Sequence, residues 1–187
     1  AVTLPAYMTE VYDWAYVDPK WVRALDRNWV VRVLLFLNDQ RLMRAYLNEI
    51  EPGMKVLEFA FDSREPSNYL PHRYIRNCIC YSGTHDNETL AQWLAQTSET
   101  ARAYAAEYLG LTEQEGYAWG ILRSGLASVA DTFIAQLQDY LGLGAEARMN
   151  EPGTLKPQNW RWRLVPGQLT DALAEKIARL TNAAKRV

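Results

Sequence analysis

Three short apolar runs set in otherwise helical text constrain this chain most. Residues 55–61, 77–81 and 131–137 each read as a buried strand, because each is short, apolar and bounded by turn residues. The stretches between the later runs carry helix signals. Strands that alternate with helices build α/β layers. Three strands are too few to close a sheet on itself, and an open sheet has edges and faces that helices must cover. The expectation is therefore a helix-rich α/β arrangement.

The first third of the chain is helical by the same reasoning. Residues 1–20 form an aromatic lead-in broken by Pro5 and Pro19. Val22, Leu25, Trp29, Val33 and Phe36 then recur at three- and four-residue steps, which is one face of a helix. Asn38 or Asp39 can cap a second helix through Leu42, Tyr46 and Ile50, and Glu51-Pro52-Gly53 stops it. This divides the chain into a helical segment, 1–51, and an α/β part, 52–187. Within the second part, 62–71 reads as a loop. Asn87 can cap a helix through Leu90, Trp93 and Leu94. An Ala-rich helix opens at Thr97 or Ser98 and closes at Gly110. Thr112-Glu113-Gln114-Glu115 is a capping box. Residues 138–144 turn the chain with two glycines, and 148–163 reads as an ordered functional loop. Thr170 caps a last helix with a Leu173, Ile177 and Leu180 stripe.

Composition narrows the function classes. A net charge of −2 over 187 residues leaves no basic field for nucleic acid or a membrane surface. The longest apolar run, 33–37, lies between Arg32 and Asn38, far short of the roughly 20 residues a membrane span needs. No leader pattern is visible at the N-terminus. Cys78 and Cys80 fall on one face of a strand, where they pair poorly and make no four-ligand metal site. They read as buried thiols in a reducing compartment. A soluble, cytoplasmic protein is expected. Dinucleotide, phosphate-loop, zinc-helix and serine-elbow motifs are all missing, so no cofactor and no metal are expected.

Two clusters could carry chemistry. Thr84-His85-Asp86-Asn87 lies where a strand hands over to a helix, the place where α/β folds build sites. A carboxylate beside an imidazole there suits binding of hydroxyls and stabilisation of positive charge. On spacing alone, Asp86 or Asn87 reads equally as a helix N-cap with His85 on the surface. The second cluster is Met149-Asn150-Glu151-Pro152-Gly153-Thr154 with Asn159-Trp160-Arg161-Trp162-Arg163. Extended backbone would put both indoles on one face, ready to stack on sugars or bases, or simply to enter the core. The N-terminal aromatics Tyr7, Tyr12, Trp14, Tyr16 and Trp21 line a pocket or seal a helix pair.

From about Pro52 onward the chain resembles the end of the amylomaltase (4-alpha-glucanotransferase) family of glycoside hydrolases. The resemblance is carried, in order, by several strings. They are Pro52-Gly53-Met54-Lys55-Val56-Leu57-Glu58-Phe59-Ala60-Phe61-Asp62, Tyr69-Leu70-Pro71-His72, Tyr81-Ser82-Gly83-Thr84-His85-Asp86-Asn87, Gln138-Asp139-Tyr140-Leu141-Gly142-Leu143-Gly144, Arg148-Met149-Asn150-Glu151-Pro152-Gly153-Thr154 and Asn159-Trp160-Arg161-Trp162-Arg163-Leu164. The resemblance implies a (β/α)8 barrel enzyme that cuts an α-1,4-glucan and passes the glycosyl piece to another sugar with retention. It implies that Asp86 is the transition-state-stabilising carboxylate. His85 and Asn87 would bind substrate beside it, and Phe59, at the end of the sixth strand, would be an apolar platform near the acceptor. The implied partner is an α-1,4-glucan or maltooligosaccharide.

The sequence also departs from that family. Its nucleophile setting, Arg-Ile-Asp-His, and its acid/base setting, Glu-Asp-Leu-Gly, are both missing. A full barrel needs roughly 200–250 residues or more, so only strands six to eight fit. Residues 1–56 instead resemble the helical lead-in of rhodoquinone-biosynthesis-type S-adenosylmethionine-dependent methyltransferases. That resemblance rests on Tyr7-Met8-Thr9-Glu10-Val11-Tyr12-Asp13-Trp14-Ala15-Tyr16-Val17-Asp18-Pro19 and Asn38-Asp39-Gln40-Arg41-Leu42-Met43-Arg44-Ala45-Tyr46-Leu47. The chain reads as a junction of two pieces at Pro52-Gly53-Met54-Lys55-Val56-Leu57, a string both families supply. The expected function is that of a 4-alpha-glucanotransferase fragment, inactive alone. The alternatives are a methyltransferase, against which the glycine-free Glu58 to Asp62 turn argues, and a non-catalytic sugar-binding module using Trp160, Trp162 and His85.

Overall fold

The structure, a computed structural model, describes residues 53–61 and 68–186. These belong to the compact unit Met54–Val187, with Gly53 just ahead of it. The helical segment expected over 1–51, its aromatic lead-in and the methyltransferase-like text lie outside the described residues, apart from the last positions of the shared string.

The sheet has three strands in the order β1 (Gly53–Val56), β2 (Cys78–Tyr81) and β3 (Thr132–Ile134). β2 and β3 are parallel, with Ile79 opposite Thr132, Cys80 opposite Phe133 and Tyr81 opposite Ile134. A parallel pair needs a crossover, and helices α1 (Leu90–Gln96), α2 (Glu99–Leu109) and α3 (Tyr117–Leu126) supply it. After β3 come the short α4 (Leu137–Tyr140) and the longer α5 (Asp171–Ala183).

Period two decides which sheet face is covered. Cys78 and Cys80 point to one side and are buried, while Ile79 and Tyr81 on the other side are half-buried. The core behind the cysteines gathers Leu57, Leu90, Leu109, Ile121 and Leu122 with Tyr74. Both thiols are unpaired, and burial pushes Cys80 up to about 11, so neither is a reactive thiolate near neutral pH. Among the described residues, no helix is long and apolar enough to cross a membrane.

Several elements differ from the sequence expectation. The first strand ends at Val56, and Leu57–Phe61 is a 3-10 turn. Leu57, Glu58, Ala60 and Phe61 are all buried, which a strand with one covered face cannot achieve and a helical turn can. Phe59 therefore sits on that turn, past the strand end, and faces outward. The cap of α1 is Thr89, whose hydroxyl accepts from the Gln92 N–H at 3.2 Å; Asn87 serves the turn before it. Thr112 caps a turn that ends at Glu115, and α3 starts later, at Tyr117. The strand expected over 131–137 is only Thr132–Ile134, and Leu137–Tyr140 winds into α4 where the strand end and a plain turn were expected. The expected cap of Ser98, the left-handed stop at Gly110 (φ 62°) and the Thr170 cap are all present. The α5 stripe of Leu173, Ile177 and Leu180 is half-buried.

Gly125 sets the closest approach of helix to sheet. A Cβ built there collides with the Phe133 ring on β3. The ring cannot retreat without uncovering the core, so overpacking costs more than the helix propensity alanine adds. Gly125→Ala should lower unfolding free energy by about 1–3 kcal/mol in a urea titration. A variant as stable as the parent would show that β3 and α3 are not in contact.

Candidate functional site

The site forms just past the C-terminal end of β2. Ser82 continues the strand by donating its N–H to the Ile134 carbonyl at 3.1 Å. Gly83 follows in a packed corner: a Cβ there would stand 3.0 Å from Gln136 Nε2, 3.1 Å from Asn87 Cβ and 3.2 Å from Glu58 Oε1. The chain then turns through Thr84–Asn87, closed by the Asn87 N–H on the Thr84 carbonyl at 3.1 Å. Asn87 Oδ1 accepts from the Thr84 N–H at 2.9 Å and its hydroxyl at 2.7 Å. Asn87 is buried, and its carbonyl oxygen is committed to this turn.

The turn exposes His85 and half-exposes Asp86, at 58% and 44% of their side chains. His85 Nε2 lies 3.4 Å from Asp86 Oδ1. A second segment, Arg148 to Asn150, clamps the turn from outside. Asn150 Nδ2 donates to Asp86 Oδ1 at 2.7 Å. Arg148, only 16% exposed, donates to the Asp86 carbonyl at 2.8 Å, Glu88 Oε1 at 2.9 Å and the Asn150 carbonyl at 2.9 Å. One rigid guanidinium fork thus ties both segments together.

Trp160 closes the other side, its ring 5.1 Å from that of His85 and tilted by 40°. The segment is not extended here. Trp160 has φ 64°, a left-handed conformation that costs a bulky residue about 1–2 kcal/mol. Trp160 and Trp162 therefore do not present two indoles along one straight face. Asn159 holds the loop through Glu151 and Thr154, and the Trp160 N–H donates to the Met149 carbonyl at 2.7 Å. Arg163 donates to the Trp160 and Trp162 carbonyls.

The structure thus brings together His85, Asp86 and Asn87, and adds Arg148, Asn150 and Trp160. Phe59 lies on a different element, 43% exposed, with its ring edge-on to Tyr69 at 5.5 Å. Chemically, the site offers one accessible carboxylate beside an imidazole that packs against an indole. The neighbouring carboxyls are engaged or sequestered. Glu88 pairs with Arg148. Asp139 is buried and accepts from the Ser82 hydroxyl at 2.6 Å and the Leu90 N–H at 2.8 Å. Glu58 is buried with neither oxygen bonded. Among the described residues, no three His, Cys, Asp or Glu side chains gather as metal ligands.

Sequence reasoning singled out the turn but gave no role to Glu58, Asp139 or Arg148. Glu58 is the unusual one. Burial first, then Asp139 and Glu88, push its carboxyl from 4.5 up to about 9, against the pull of Arg148. The folded chain then keeps a proton on Glu58 that the unfolded chain releases above the ordinary value. Stability from this group is complete below about 4.5 and drains away as pH rises toward 9. The slope should approach about 1.4 kcal/mol per pH unit in that window. Urea titrations from pH 5 to 8 should show this loss, and Glu58→Gln should flatten it. Equal slopes in both proteins would mean Glu58 is ionised when folded.

Comparison with known proteins adds the family. The sequence profile of the 4-alpha-glucanotransferase family matches residues 40–169, reaching back ahead of Pro52. The 4-alpha-glucanotransferase of Clostridium butyricum is 50% identical over 132 residues, 70% of this chain and 27% of its own. That of Thermus thermophilus is 40% identical over 144 residues, 73% of this chain and 28% of its own. An amylomaltase from Streptococcus agalactiae, solved in complex with acarbose, superimposes with a TM-score of 0.72 at 35% identity. It covers 79% of this chain, which spans 30% of it. The chain thus spans between 27% and 30% of the length of these three relatives. By the extent of the profile match, the chain belongs to the 4-alpha-glucanotransferase family.

Proposed function

We propose that this chain carries the glucan-gripping portion of a 4-alpha-glucanotransferase, corresponding to strands six to eight of a (β/α)8 barrel, with residues 1–51 as a separate helical segment. In this reading the partner is an α-1,4-glucan, and the protein is cytoplasmic, binding neither nucleic acid nor membrane. The observation that carries it is the half-exposed Asp86 carboxylate. Asn150 fixes it in place at a strand-to-helix turn, in a chain of this family. A fixed carboxylate takes hydroxyl donors in strong, charge-assisted bonds and favours positive charge developing nearby. His85 binds the same sugar ring as Asp86, Asn87 shapes the turn that presents both, and Phe59 supplies an apolar surface toward the acceptor.

Retaining glycosyl transfer needs two carboxyl groups about 5 Å apart, one as nucleophile and one as acid/base. The family settings for both are missing from this sequence, and Glu58, Glu88 and Asp139 are buried or paired. The chain alone should bind a maltooligosaccharide without turning it over. Purified protein should give no disproportionation of maltotriose. Calorimetric titration with maltoheptaose or acarbose should show binding, weakened about tenfold or more in Asp86→Asn. Turnover of maltotriose by the purified chain that disappears in Asp86→Asn would overturn the expectation that the chain is inactive alone.

A further inference from the structure

We infer that Trp160 is a sugar-stacking platform of the Asp86 site, its indole face taking a pyranose ring of the α-1,4-glucan beside the His85 imidazole. The inference rests on the glucan-binding reading above and gives Trp160, already placed beside His85, a defined role in that site. Three observations carry it. First, Trp160 is 53% exposed although indole is the largest apolar side chain, and among the described residues the ring packed against it is that of His85. Second, its backbone sits at φ 64°. Conformations of this kind persist in bulky residues only where the surroundings impose them, and they concentrate at binding sites. Here the surroundings are explicit: the Trp160 N–H is held by the Met149 carbonyl, its carbonyl by Arg163, and the preceding Asn159 by four contacts to Glu151 and Thr154. Third, the segment that holds Trp160 also delivers Asn150 to Asp86, so indole and carboxylate are set by one rigid piece.

The chemistry of a pyranose fits this arrangement. Its hydroxyls lie around the rim, and its axial C–H groups make an apolar, slightly positive patch on the ring face. An aromatic face carries the complementary negative potential of its quadrupole. A sugar lying on Trp160 would keep its rim hydroxyls free for the Asp86 carboxylate and the His85 ring nitrogens. A rotamer change alone could not deliver this, because the backbone conformation, and not only the side chain, aims the indole.

The test uses the 187-residue chain labelled with 5-fluorotryptophan. The sequence has seven tryptophans, and Trp160→Phe identifies the Trp160 fluorine resonance by its loss. Added maltoheptaose should move that resonance along the same isotherm that calorimetry reports. Trp160→Leu, which keeps apolar bulk without an aromatic face, should weaken binding about tenfold, and Trp160→Phe by no more than about threefold. Trp160→Leu binding as the parent does, or a Trp160 resonance that stays put while the chain saturates, overturns the platform and leaves the Asp86 reading intact. A parent chain that binds no maltoheptaose overturns both. The fluorine measurement is made on the unsubstituted chain, so the result does not depend on the leucine variant folding.

Discussion

The buried carboxylate of Asp139 is the interaction on which the rest of the unit depends. It accepts from the Ser82 hydroxyl just past β2 and from the Leu90 N–H at the start of α1, while its own backbone lies within α4, after β3. Two strand ends and a helix start therefore meet at one side chain. A buried acceptor with two donors is satisfied, and removing it would leave both donors unpaired. The Ser82 hydroxyl also accepts from the Gln136 N–H, and Gln136 reaches the Glu88 carbonyl. The Thr84–Asn87 turn is suspended between these fixed points, which is why its exposed residues can keep a defined geometry.

Charge is distributed unevenly around that hub. Glu58 feels the charges of Asp139, Glu88 and Arg148, while Arg148 pairs with Glu88 and holds the Asp86 carbonyl. Glu58 and Asp139 both ionised would leave uncompensated charge in a poorly solvated place. The structure resolves this by treating each carboxyl differently. Glu88 takes the ion pair, Asp139 takes neutral donors, Asp86 stays at the surface, and Glu58 is pushed toward its neutral form. The accessible carboxylate is the one the site can use, and the others make its position possible.

What the sequence made legible follows the range of the forces involved. The strand-to-helix turn at Thr84–Asn87, the Ser98 and Thr170 caps and the Gly110 stop depend on neighbours within four residues, and local reading finds them. The 3-10 turn at Leu57–Phe61 looks the same as a strand in composition, and only tertiary burial of Leu57, Glu58 and Ala60 separates the two. Asn87 and Thr89 are both competent caps, and the contact of Asn87 with Thr84 decides between them. Asp139 and Arg148 carry no local signal of their parts, because the partners that define them lie 49 to 62 residues away. The left-handed Trp160 contradicts the extended conformation its alternation suggests, and no local pattern reveals it.

The two cysteines give the sheet a property of another kind. Cys78 and Cys80 are unpaired, sealed between β2 and the helices, and unreactive while that interface is closed. A thiol of this sort reacts with an alkylating reagent only during an opening of its surroundings. The central strand therefore carries its own clock, and the rate at which the cysteines are labelled records how often the helical layer lifts from the sheet.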